Sequence, residues 1–237
     1  MNKLAMFVEG YTEVQFCTQL IQLIASESGL KIECRKIRGG TTVRLSYRLI
    51  EEFSDVDNNE VTHFVLIYDC GNDSLVKSRM VAEYQNLADA KYSSIICLRD
   101  VYPDIAFADI AKLENGLPFR VRTQPIPVKF ILSVMEVEAW FLAEYSHFKK
   151  IDPTITLERI RNLGIDVENG DLRQRGKPTE DLRDCYALAG KSYEKLNTAP
   201  TMQALDMMKV YFEVSQRFPY LQLLCEEITS FFKEDLN

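Results

Sequence analysis

The sequence predicts an α/β fold: a mostly parallel sheet flanked by helices, with a helical C-terminal extension. Three observations carry this. Short continuous apolar runs recur through the first 146 of 237 residues, helical periodicity separates them, and the pattern becomes wholly loop-rich and helical afterwards. Strands of a parallel sheet are covered on both faces, so they read as unbroken apolar runs rather than as alternation.

The runs come in order. Leu4-Ala5-Met6-Phe7-Val8 stops at Glu9-Gly10, and Phe64-Val65-Leu66-Ile67-Tyr68 stops at Asp69. Residues 94–98 and 128–134 repeat the pattern. Between the first two runs, Val14, Cys17, Leu20, Ile21 and Ile24 fall at helical spacing, with Thr12 and Gln15 placed as a capping box. Residues 41–53 and 76–91 are the next expected helices. The alternation of strand and helix argues for one α/β domain over residues 1–146. Residues 147–237 form the extension: loops around a short helix at 156–163, then helices at 180–190, 201–216 and 219–233, broken at Pro200 and Pro219.

Composition narrows the function classes. Hydrophobic residues make up 46% and charged residues 27%, a globular balance. No apolar run reaches the ~18 residues that span a bilayer, and the N-terminal run meets Glu9 too early for a secretion signal. A cytoplasmic, non-membrane protein is expected. The six cysteines form no CxxC pair and there are two histidines, which argues against zinc. Metal chemistry would therefore run on carboxylates and a hard cation, Mg²⁺ or Mn²⁺. A net charge of −7 means that nucleic acid is not held by bulk charge, so a local patch is needed. One exists: Lys31, Arg35, Lys36, Arg38, Arg44 and Arg48 stand against Glu33 alone. Arg35, Lys36, Arg38 and Arg44 are the candidate phosphate contacts, with a solvated helix face as the alternative.

Sites in open parallel sheets form at the carboxyl ends of strands. Glu9 and Asp69 end two predicted strands, Asp73 follows in the next loop, and Glu136 and Glu138 follow the strand that closes near Val134. Such acids repel one another unless a divalent cation neutralises them, so they form the candidate metal set. Solvated loop acids are the alternative for any one of them.

Phe7-Val8-Glu9-Gly10-Tyr11-Thr12-Glu13 resembles the opening motif of Toprim domains, and Tyr68-Asp69 stands where those domains carry an aspartate motif. Gly71 occupies the place of the motif's second aspartate, which leaves Asp73 as a substitute. Glu136-Val137-Glu138-Ala139 resembles the E-x-E-A signature of a Toprim-like bacterial family related to OLD-type nucleases and often encoded beside an ATPase. Tyr193-Glu194-Lys195 fits that family's Y-x-K. The resemblance implies metal-dependent cleavage of DNA or RNA phosphodiesters, with an ATPase partner in phage defence. It implies Glu9 as acid/base or ligand, Asp69 and Asp73 on Mg²⁺, Glu136 or Glu138 completing the site, and Lys195 stabilising charge. The alternative is a non-catalytic interaction subunit of an ATPase complex. The apolar residues of 201–233 are expected to supply a homodimer or ATPase-docking surface.

Overall fold

The computed structural model describes residues 1–26, 28–40, 43–101 and 105–233, with backbone alone at Val43 and Asp73. The chain divides into two compact units. The first comprises Met1–Arg99, Ala111–Leu132 and Glu226–Asn237; the second comprises Asp100–Ile110 and Ser133–Cys225.

The elements run β1 (Asn2–Val8), α1 (Tyr11–Ala25), β2 (Leu30–Gly40), β3 (Val43–Ser54), β4 (His63–Asp69), α2 (Asp73–Asp89), β5 (Ser94–Asp100), α3 (Ile110–Gly116) and β6 (Val128–Ser133). Helices α4 (Glu138–Ala143), α5 (His147–Ile151), α6 (Leu157–Asn162), α7 (Pro178–Ala187), α8 (Ala199–Ala204), α9 (Met207–Lys209) and α10 (Pro219–Lys233) follow. The fold is α/β, with a six-stranded sheet in the order β3-β2-β4-β1-β5-β6. β1 pairs in parallel with β4 and β5, β2 pairs in parallel with β4, and β3 pairs antiparallel with β2.

Within the first unit, Leu4 through Val8 are all fully buried, as a central parallel strand requires. Ala5, Phe7, Tyr68 and Cys97 pack with Val76, Met80 and Tyr84 of α2. Phe16, Leu20 and Ile21 give α1 its buried stripe.

Two local expectations are corrected. Of the helix expected over 41–53, residues 41–42 lie outside the described residues, and the rest is strand: Val43–Ser54 is the antiparallel edge strand. Leu45, Tyr47 and Leu49 alternate with Arg44, Ser46 and Arg48, a period of two that outweighs the helix-compatible charges. The cap of α1 is also not Thr12 with Gln15. The helix begins one residue after Gly10, whose N–H donates to the Glu13 carboxylate at 2.9 Å. The second acid of the E-G-x-T-E motif is therefore a buried helix cap.

The C-terminal apolar residues are mostly core. Met202, Leu205, Phe218, Leu221, Leu224, Ile228 and Phe231 are buried, whereas Met208 and Phe212 are exposed. Among the described residues, no helix is long and apolar enough to cross a membrane.

Candidate metal centre

Within the first unit, the register Val8↔Asp69 puts Glu9 just beyond the end of β1 and Asp69 at the end of the adjacent β4. Asp69 is 1% exposed, and both of its oxygens are engaged. Lys36 Nζ donates to Oδ2 at 2.9 Å, and the Gly71 N–H donates to Oδ1 at 2.9 Å. Gly71 sits at φ 93°, a left-handed conformation that folds its amide back onto the strand-end acid. Glu9 is half-buried. Asp73 opens α2, and its side chain lies outside the described part of the structure.

The candidate phosphate contacts on β2 and β3 divide into two pairs. Arg35 is paired with Glu33, and Lys36 with Asp69. Arg38 and Arg44 are exposed.

Within the second unit, the chain turns sharply between β6 and α4. Met135 takes a left-handed conformation, φ 59°, which costs a residue with a Cβ about 1 kcal/mol. The turn is held by the Val101 N–H, which reaches the carbonyls of Ser133 and Met135 at 3.2 and 3.1 Å. Glu136 and Glu138 follow directly.

Asp100, Glu136 and Glu138 each offer a carboxylate oxygen, and these oxygens all lie within 4.8 Å of one another. Among the described residues this is the one such group of three or more His, Cys, Asp or Glu side chains. All three are buried. Glu136 accepts from the Thr179 N–H in the first turn of α7 at 2.9 Å, where the helix dipole favours negative charge. Its other oxygen accepts from Lys195 Nζ at 2.9 Å. Glu138 Oε1 accepts from the Tyr193 hydroxyl at 2.7 Å and lies 3.6 Å from Lys195 Nζ. Asp100 Oδ1 accepts from the Ser133 hydroxyl. Glu138 Oε2 is buried with no hydrogen-bond donor among the described residues.

The electrostatics follow from burial and crowding. Burial pushes the Glu138 carboxyl above its usual range; Glu136 adds to this, while Lys195 and Tyr193 oppose it. Burial alone would lower the Lys195 ammonium, but Glu138, Asp100 and Glu136 together raise it. Lys195 thus stays charged, and one ammonium faces three carboxylates.

No family model, curated protein or solved structure matches this chain. The site therefore rests on its own geometry. An all-oxygen donor set with an unsatisfied buried oxygen suits a hard cation rather than zinc.

The structure brings Glu136, Glu138 and Lys195 together and adds Asp100, which sequence reasoning missed. The missing signal was the one used for Glu9 and Asp69. The run at 94–98 continues through Arg99 and ends in a carboxylate, so Asp100 is a third acidic strand end.

Proposed function

We propose that this protein is a divalent-cation-dependent phosphodiester hydrolase acting on DNA or RNA, with its metal centre at Asp100, Glu136 and Glu138. The observation that carries the reading is the convergence of that buried group. Its three carboxylates bring oxygens within 4.8 Å of one another, a crowding that one Mg²⁺ or Mn²⁺ would relieve.

A cation bound there would supply Lewis acidity toward a phosphodiester. The protein's own groups do the rest. The Thr179 amide and the Tyr193 hydroxyl fix the two glutamates, and Ser133 fixes Asp100. Lys195, the most exposed member of the group with 36% of its side chain accessible, is placed to meet a phosphate oxygen. The resemblance to Toprim-like proteins supports the reaction class. It also motivates the ATPase partner, the phage-defence setting and the supporting role given to Glu9 and Asp69.

A second reading has its own observation. Glu138 is fully buried and Asp100 nearly so. A closed ion network around Lys195 would also suit a non-catalytic subunit of an ATPase complex.

Calorimetric titration with Mn²⁺, paired with cleavage of plasmid DNA and single-stranded RNA, separates the two. Hydrolysis predicts saturable Mn²⁺ binding and metal-dependent cleavage, both lost in Asp100→Asn and Glu138→Gln. Cleavage that persists in both variants overturns this site, and absence of Mn²⁺ binding favours the closed network.

A further inference from the structure

The second unit has a groove of about 630 Å³ lined by Lys150, Lys191, Ser192, Asn197 and Gln203, with the Tyr186 ring among its walls. None of its lining residues is acidic, in a chain of net charge −7. Both lysines are exposed, and neither makes an ion pair among the described residues. Asp152 feels Lys191, but its carboxyl is held down chiefly by the Thr154 amide and hydroxyl, and it does not line the groove. The polar lining is thus dominated by ammonium, hydroxyl and carboxamide groups, the complement of phosphate oxygens. Tyr186 is buried, with its hydroxyl 2.8 Å from that of Thr201.

The groove shares a loop with the acidic group. Within residues 191–198, a tight turn at 194–197 is closed by the Glu194↔Asn197 bridge. Tyr193 and Lys195 bond Glu138 and Glu136, while Lys191, Ser192 and Asn197 of the same segment line the groove. One short segment therefore carries both the lysine that bonds the acidic group and part of the groove's lining.

We infer that this groove binds the phosphate backbone of a nucleic-acid strand. The inference rests on the hydrolase reading for the identity of the polymer, but it concerns binding alone. It moves the nucleic-acid contact from Arg35 and Lys36, which are already ion-paired, to Lys150 and Lys191.

The test is fluorescence anisotropy with labelled 12-nucleotide oligothymidylate and oligouridylate, in EDTA so that nothing is cleaved. The wild-type chain should bind at least one of them, with affinity falling as salt rises. Lys150→Glu/Lys191→Glu should weaken binding at least tenfold and flatten the log–log salt slope by about 1.4, two contacts at about 0.7 each. Both lysines are exposed, so the variant should keep the wild-type melting temperature. No wild-type binding to either oligomer overturns the inference, as does undiminished binding by the groove variant. Mn²⁺ titration of the groove variant keeps the two readings apart. Retained Mn²⁺ binding with lost oligomer binding supports the groove, and lost Mn²⁺ binding with retained oligomer binding overturns it without touching the cleavage assay.

Discussion

Two lysines meet buried acids in this chain, and they do so in different proportions. In the first unit, Lys36 meets Asp69 one to one, and the Gly71 amide takes the remaining oxygen. In the second unit, Lys195 meets Glu136 and Glu138 directly and feels Asp100 as well. In the first, both Asp69 oxygens have donors. In the second, Glu138 Oε2 is buried with no hydrogen-bond donor among the described residues. The two places thus differ in the ratio of carboxylates to the lysine that meets them.

The largest expected effect tests that ratio directly. Asp100→Asn or Glu138→Gln should abolish measurable Mn²⁺ binding, whereas Asp69→Asn should leave it intact. Equal loss in all three variants, read by calorimetry, would break the contrast between the two acidic groups.

A second difference between the regions is acid sensitivity. His147, in the second unit, is fully buried, which lowers its pKa to about 4; Nδ1 lies 2.6 Å from the Glu144 carbonyl. The unfolded chain takes up this proton from pH 6.5 downward and the folded chain only near pH 4. Stability contributed by neutral His147 is thus present above about 6.5 and lost as pH falls toward 4. The loss is about 3 kcal/mol, at 1.36 kcal/mol per pH unit over that window. Urea unfolding from pH 7 to pH 4 should show it, and His147→Phe should flatten the slope.

The lysines sharpen the comparison further. In metal-free buffer, Lys195→Met should cost about 2 kcal/mol, because it strands several buried carboxylates, with a discount for its exposure. Lys36→Met strands one acid that keeps an amide donor and should cost about 1 kcal/mol. Mn²⁺ should then restore the Lys195 variant and not the Lys36 variant in thermal melts. The smallest effect is expected at Gly71→Ala. Its Cβ would meet nothing within 4 Å, so only the left-handed backbone opposes it, at about 1 kcal/mol.

Much of the sheet was legible because apolar runs between helices are a strong signal. β1, β4, β5 and β6 all fall where those runs stand. β3 was misread because its arginines and glutamates tolerate either period, and only Leu45, Tyr47 and Leu49 betray the strand. At the candidate site, Glu136, Glu138 and Lys195 were legible from motif and spacing. Asp100 was not, because its strand extends two residues past its last aliphatic side chain. The ion pairs of Arg35 and Lys36 could not be read either. Their partners, Glu33 and Asp69, are set by strand pairing and side-chain reach.

The segment at 191–198 has a thermodynamic consequence. It presents Tyr193 and Lys195 to the acidic group and Lys191, Ser192 and Asn197 to the groove, so any shift in its position is felt at both. A polymer in the groove that draws Lys191 and Asn197 toward itself also changes how firmly Lys195 competes for the carboxylates. Linkage makes the effect reciprocal: the factor by which an oligonucleotide alters cation affinity must equal the factor by which the cation alters oligonucleotide affinity. Measuring either one fixes the other.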